Sequence, residues 1–304
     1  MTNPEPYLGP GLSPLQLYLR GERAAVADIV RALEDAAADA QRRINRLETK
    51  AGIGSVVRRS QLRMIKRELQ VVQNELWRSV GKAVRNNSPH IAEAAALAEK
   101  QIQDVLFRAA GVSPSSALSA AQRHYAQATV QTFLARGENG IGLSERVYRS
   151  KALSQGWVDR QVNRIVLQGG SWQDIAKTVR PMIRPDTRGG VSYAAKRLGR
   201  TELNNAFHTT NIKLGEESPY VTGMKWNLSG SHPKVDICDH LATTGSQGKP
   251  AGVYTTADTP SKPHPQCLCF LTEEVVDEET FLRMVTNTSP EQVAKKYAQA
   301  ARSA

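Results

Sequence analysis

The sequence predicts a mainly α protein, with a long N-terminal helical arm or bundle followed by a small α+β module that contains a Cys/His-bearing β-hairpin region. Three observations lead to this fold class. Aromatic residues make up only 6% of the 304 residues against 40% hydrophobic residues, a balance typical of helices packed through Ala, Leu and Val. Apolar residues recur at helical spacing through much of the N-terminal half. All three cysteines lie in one C-terminal stretch that is rich in Gly, Pro, Ser and Thr.

Residues 1–136 are assigned to the helical arm because amphipathic patterns alternate there with short helix breakers. The segment 51–54 separates the first helix from a second one, which includes 64–80. Segment 86–89 ends in proline and is predicted to terminate the second helix, since proline lacks the N–H group that a helix interior needs. Two further helices are expected, over 91–110 and from the Ser113-Pro114 cap to about residue 136.

The glycine-rich segment 137–143 is the predicted linker between the arm and the module. The helical part of the module, 144–218, is expected to begin with two short helices over 144–154 and 158–167. Ser171 with Asp174 three residues later then predicts a capped helix start.

The β-rich Cys/His part of the module is assigned to 219–276. Strands are predicted over 224–228 and 267–272, with hairpins and loops between them. Two helices are expected to close the chain over 277–304.

The formal net charge of +11 favours a polyanionic partner such as nucleic acid, although it can also serve solubility alone. No apolar run approaches the roughly 20 residues that span a bilayer, and no secretory signal is evident, so no membrane partner is expected. Basic residues are densest on the predicted second helix, which can face phosphate or solvent. They are Arg58, Arg59, Arg63, Lys66 and Arg67.

The candidate metal ligands are Cys238, His240, His264, Cys267 and Cys269. Residues two apart on a strand project to the same side, so Cys267 and Cys269 can present two sulfurs to one point. With the other three residues they would supply enough ligands for tetrahedral zinc, which would stabilise a module with little core of its own. Two alternatives stay open: the cysteines can be buried free thiols, or two of them can form a disulfide bond.

A further hypothesis is nucleophilic catalysis by Cys238 or Cys267, since a thiolate beside a histidine can act as a nucleophile. No nucleophile turn or oxyanion element accompanies the cysteines, and no phosphate-binding or dinucleotide-binding glycine motif occurs in strand-to-helix context. We therefore expect a protein that is not an enzyme and has no small-molecule substrate. Since three cysteines cannot all pair within one chain, a reducing cytoplasm is the expected compartment during synthesis.

Arg200 and Glu202 lie two positions apart on the predicted helix that runs from Tyr193 to about Glu217. Such residues do not face each other, so each is free to reach a separate partner. An ion pair with the C-terminal module would be one such contact.

Four motifs in sequence order resemble the Mu-F-like minor head proteins of tailed bacteriophages, also called head morphogenesis proteins. The resemblance covers about residues 155–276. Its motifs are the glycine–cap–helix segment 167–180, the Arg200-Thr-Glu202 helix, the Trp226 strand with the Asp236-Ile-Cys238 turn, and the His264-Pro-Gln-Cys267-Leu-Cys269 ending.

The resemblance implies a low-copy structural component near the portal vertex that aids head assembly. Portal and capsid proteins would be its partners, and packaged double-stranded DNA would be a further contact. Its location would be the phage head, and the host cytoplasm during assembly. The alternative is a zinc-stabilised nucleic-acid-binding protein outside the virion.

The chain departs from the family pattern at two positions. Leu241 stands where many members have a second cysteine of a Cys-x2-Cys turn, and Leu268 stands where many have arginine. The first departure leaves His240 or His264 to complete a four-ligand site.

Overall fold

The computed structural model describes residues 13–113, 115–137, 140–185, 190–230, 232 and 234–304. These residues contain nine α-helices and one three-stranded antiparallel sheet near the C-terminus, which confirms the predicted fold class. None of the described helices is long and apolar enough to cross a membrane. The helices are α1 Pro14–Ala51, α2 Leu62–Ala109, α3 Ser116–Arg136, α4 Leu143–Leu167, α5 Trp172–Ile183, α6 Gly190–Glu217, α7 Ile237–Thr243, α8 Glu278–Asn287 and α9 Pro290–Ser303. The strands are β1 Val221–Asn227, β2 Val253–Tyr254 and β3 Phe270–Val275.

The chain divides into two compact units, each built from segments that are distant in sequence. The sheet unit contains the described residues of Met1–Gly21, Asn87–Leu134 and Leu203–Ala304. The helical unit contains Glu22–Asn86 and Ala135–Glu202. The predicted boundaries after residues 136, 143, 218 and 276 rest on sequence features and stay a prediction; residues 138 and 139 of the linker lie outside the described part.

The helical unit has one continuous apolar core to which α1, α2, α4, α5 and α6 contribute. Its largest members, Trp77 and Trp172, are both 0% exposed. Aromatic and branched side chains of this size each contribute about 1.5–3 kcal/mol when fully buried. The start of α5 is fixed as predicted, because Ser171 Oγ accepts from the Asp174 N–H at 3.2 Å while Asp174 Oδ2 accepts from the Ser171 N–H at 2.8 Å.

Segment 86–89 does not end a helix, so the prediction of two helices there was wrong. Helix α2 is 48 residues long and contains Pro89 in its interior. An interior proline costs roughly 3 kcal/mol, because one backbone hydrogen bond is lost and the ring meets the preceding turn. Pro89 is exposed, whereas Ser88 and Ile91 beside it are 0% exposed. Burial of the neighbouring face therefore outweighs the local cost.

The two short helices predicted over 144–154 and 158–167 are likewise one helix, α4. Gly156 lies in its interior at a propensity cost of about 1 kcal/mol. Val158 and Val162 are both 0% exposed and belong to the core of the helical unit. Burial of these valines therefore outweighs the cost of a glycine inside the helix.

The sheet has the order β2-β1-β3, with both pairings antiparallel. In β1, Met224 and Trp226 are buried on one face while Lys225 is exposed between them. The predicted second strand over 267–272 is displaced toward the C-terminus, because the pairing with β1 ends at Asn227 opposite Phe270. Cys267 and Cys269 therefore lie just before β3 instead of within it.

Replacement of Pro89 tests the continuity of α2. We expect Pro89→Ala to stabilise the protein by about 1–3 kcal/mol, since a backbone hydrogen bond is restored while the unfolded chain gains some freedom. Urea denaturation monitored by far-UV circular dichroism measures the change. The control is Pro14→Ala at the first position of α1, where proline is favourable and no gain is expected. A loss of stability in Pro89→Ala would contradict the continuous helix.

Candidate metal centre

The three cysteines converge on one point in the sheet unit. Cys238, Cys267 and Cys269 are 0%, 1% and 2% exposed, and their sulfurs all lie within 4.8 Å of one another. The Sγ atoms of Cys238 and Cys267 are 3.5 Å apart, and all three are free thiols. This buried cluster could hold a metal ion.

Cys238 is positioned by the capped start of α7. Asp236 Oδ1 accepts from the Cys238 N–H at 2.7 Å, and Asp239 Oδ2 accepts from the Asp236 N–H at 2.7 Å. The sequence Asp236-Ile-Cys-Asp239 thus forms a reciprocal capping arrangement that satisfies the first helical N–H groups.

His240 is exposed on α7 and belongs to none of the clusters of described residues that could hold a metal. On a strand, residues 238 and 240 would share a side, but on a helix two positions correspond to roughly 200° of rotation. The helical conformation therefore turns His240 away from the Cys238 sulfur.

The segment before β3 directs Cys267 and Cys269 inward. Leu268 between them is exposed, so the alternation expected for residues two apart is retained. The side-chain amide of Asn204 donates to the Cys267 carbonyl, and the Lys262 ammonium donates to the Cys269 carbonyl. These contacts fix the backbone that carries both sulfurs.

Apolar side chains pack against one side of the sulfurs. Met224, Trp226, Tyr254 and Leu271 form the cluster together with the cysteines. His208 meets the Trp226 ring edge to face at 5.5 Å between centroids, and its Nε2 lies 2.8 Å from the Pro260 carbonyl oxygen. Burial, reinforced by the nearby Lys262 charge, lowers the pKa of His208 to about 3.

Burial also sets the ionisation of the cysteines. It raises the pKa of Cys238 far above its usual range, with a further contribution from the Cys267 and Cys269 thiols beside it. Burial raises the pKa of Cys267 as well, and the Lys262 charge opposes that rise. A thiol with a raised pKa is a poor nucleophile, whereas a bound cation would displace the protons and stabilise the thiolates.

Two histidines line the rim of the cluster. His264 Nε2 lies 3.3 Å from Cys238 Sγ and 3.3 Å from Asp236 Oδ2, and its Nδ1 lies 3.2 Å from the Pro265 carbonyl oxygen. His232 Nδ1 lies 3.8 Å from Cys269 Sγ, and its Nε2 lies 2.9 Å from Asp239 Oδ2. Sequence reasoning missed His232; the available signal was its place six residues before Cys238.

Arg200 and Glu202 have separate partners, as their spacing predicted. Arg200 Nε lies 3.1 Å from Glu22 Oε1 of α1, and Arg146 Nη2 of α4 lies 2.5 Å from Glu202 Oε2. Both partners belong to the helical unit rather than to the C-terminal module. The Glu202 side chain is 2% exposed, and its burial raises its pKa although Arg146 opposes the shift.

The predicted basic residues lie at the start of α2 and just before it. Arg58, Arg59, Arg63 and Arg67 are exposed, and Lys66 is half-buried. Arg59, Arg63 and Arg67 recur every four residues, which places them on one side of the chain. We call them the arginine row.

A second basic surface in the helical unit was not predicted. A cavity of about 390 Å³ is lined by two cations of α5, Lys177 and Arg180, and by Arg184 just after the helix. Amide side chains, including Gln41 and Asn45 of α1, complete the lining. None of the described residues that line this cavity carries a carboxylate, so these residues offer an anion donors without a repulsive charge.

The whole chain, with the motifs of the sequence resemblance, has no detected relative among known proteins. No family model, no curated protein and no solved structure matches it. The resemblance to Mu-F-like minor head proteins therefore stays a prediction.

Loss of Arg146 tests the buried ion pair. We expect Arg146→Gln to destabilise the protein by about 3–5 kcal/mol, because an uncompensated carboxylate would stay buried. The folded-state pKa of Glu202 is already raised. In the variant, protonation of Glu202 should therefore reduce the loss as the pH falls from about 8 to about 5.

The matched control is Arg200→Gln, whose arginine side chain is 45% exposed. It should cost only about 0–1 kcal/mol. Urea denaturation at both pH values measures the effects. Equal losses in the two variants would contradict the distinction between a buried and an exposed pair.

Proposed function

We propose that this chain is a minor head protein of a tailed bacteriophage, a structural component near the portal vertex that aids head assembly and is not an enzyme. One observation carries the proposal: residues from separate motifs of the resemblance meet in one buried cluster. Trp226, Cys238 and Cys267 are members of that cluster, and Asn204, from the segment that follows Arg200-Thr-Glu202, donates to the Cys267 carbonyl. Motifs that are far apart in sequence thus serve one structural module.

The metal bound by this module is proposed to be zinc. Tetrahedral zinc with bonds of about 2.3 Å to sulfur and about 2.0 Å to nitrogen requires S–S distances of roughly 3.8 Å and S–N distances of roughly 3.6 Å. The Cys238–Cys267 distance is 3.5 Å, and the two sulfur–histidine distances are 3.3 and 3.8 Å. Three thiolates with one histidine form a common structural zinc set, and soft sulfur ligands favour zinc over magnesium or calcium.

A structural role agrees with the burial of the sulfurs. A catalytic zinc site keeps an open position for water or substrate, whereas structural sites are closed. The three cysteines are nearly inaccessible to solvent. The site would therefore stabilise the sheet unit and leave contact with partners to other surfaces.

An apolar surface in the sheet unit supports a protein partner. Leu15, Leu268 and Phe270 are 63%, 54% and 47% exposed, and they line a cavity of about 500 Å³. Exposed apolar side chains that lie together mark protein contact surfaces more often than isolated ones do. In the proposed function the partners are portal and capsid proteins.

The second candidate function is a zinc-stabilised nucleic-acid-binding protein outside the virion. The arginine row and the Lys177–Arg184 cavity favour it, because arginine and lysine side chains neutralise backbone phosphates. In the leading proposal the same surfaces would contact packaged double-stranded DNA.

Purified particles and pull-downs from cells that produce the chain distinguish the two functions. We expect mass spectrometry to detect the chain in particles at low copy number, and portal protein to co-purify with the tagged chain. The control variant replaces Arg59, Arg63 and Arg67 with glutamine; it should keep portal binding while its affinity for duplex DNA falls. Absence from particles, no binding to head proteins and DNA binding that weakens steeply with salt would instead support the second function.

A further inference from the structure

We propose that His232 is the fourth metal ligand of the Cys238–Cys267–Cys269 cluster and that Asp239 orients its ring. This inference rests on the proposed zinc site. It departs from the sequence expectation, in which His240 or His264 completed the set. The ligand would be a divalent metal ion of zinc type, held by three sulfurs and one imidazole nitrogen.

A fourth ligand is required because structural zinc is four-coordinate and the chain has only three cysteines. Position 241, where the family pattern has a cysteine, is a partly buried leucine packed against the cluster. Among the described histidines, the two with a ring nitrogen close to a cluster sulfur are His232 and His264.

The two histidines differ in which nitrogen faces the sulfur. A histidine that binds metal through one nitrogen usually donates from the other to a carboxylate or a carbonyl oxygen. In His264, Nδ1 lies 3.2 Å from the Pro265 carbonyl oxygen, but the sulfur-facing nitrogen, Nε2, is shared between Cys238 Sγ and Asp236 Oδ2, both at 3.3 Å. A metal bound at that nitrogen would have to displace its contact with the carboxylate.

In His232 the carboxylate contact is on the nitrogen that faces away from the sulfur. Nδ1 faces Cys269 Sγ at 3.8 Å, while Nε2 lies 2.9 Å from Asp239 Oδ2. Donation from Nε2–H to the carboxylate leaves the Nδ1 lone pair directed toward the cluster, which is the tautomer that a metal requires. The His232 side chain is also the more buried, at 12% exposure against 35% for His264.

Asp239 then has two roles in one position. Its Oδ2 accepts from the Asp236 N–H at 2.7 Å, which caps α7, and from the His232 ring at 2.9 Å. The capped start of α7 would thus place one sulfur ligand, Cys238, and orient the nitrogen ligand. His264 is assigned an outer role, as a hydrogen-bond partner of Asp236 and of the Cys238 sulfur.

Cobalt substitution of the purified full chain tests the assignment, because visible d–d absorption of tetrahedral Co²⁺ reports its ligand set. In wild type we expect a spectrum of three sulfurs and one nitrogen. His264→Ala should keep that spectrum, with affinity reduced by no more than about 10–100-fold as for an outer-shell residue. His232→Ala should change the spectrum and weaken Co²⁺ binding by more than His264→Ala does.

His232→Cys keeps the test decisive if His232→Ala fails to fold. This variant should bind Co²⁺ with a four-sulfur spectrum, since a thiolate replaces the imidazole. A spectrum changed by His264→Ala but not by His232→Ala, or changed by neither, would overturn the assignment while leaving the metal site in place. Failure of the wild-type chain to bind Co²⁺ and Zn²⁺ would overturn the site itself, and it would be independent of whether the chain is found in particles.

Discussion

The meeting of three buried sulfurs is the constraint on which the sheet unit most depends. Cys238 and Cys267 are 29 residues apart in sequence, and the regular structure between them is limited to α7 and the two-residue strand β2. Closing such a loop has an entropic cost that hydrogen bonds of a short sheet offset only in part. A metal ion shared by the sulfurs would supply further stabilisation, because its binding free energy adds to the free energy of folding.

The residues around the cluster hold the three sulfurs close together. Asn204 and Lys262 hold the carbonyls of Cys267 and Cys269, and the capping pair Asp236 and Asp239 fixes the start of α7. Trp226 fills the apolar side of the cluster and packs against neutral His208. Cysteine cluster, helix cap and apolar core are therefore parts of one arrangement.

The sequence allowed prediction of the fold class and of features that local chemistry determines. The Ser171–Asp174 cap and the inward direction of Cys267 and Cys269 follow from short-range rules. Continuity of α2 through Pro89 could not be predicted, because burial of Ile91 and its neighbours is a tertiary effect. His240 lies outside the cysteine cluster because α7 forms where a turn was expected. His232 was missed because its approach to Cys269 depends on contacts between residues that are far apart in sequence.

The central claim is that the cysteine cluster holds a metal ion that stabilises the sheet unit. Its most direct test is elemental analysis of the full chain, purified under reducing conditions, combined with thermal unfolding before and after treatment with a strong chelator. The account predicts one zinc ion per chain, and a chelated protein that unfolds at a clearly lower temperature and recovers when zinc is returned. Three free thiols, no metal uptake from added zinc and an unchanged unfolding temperature would contradict it.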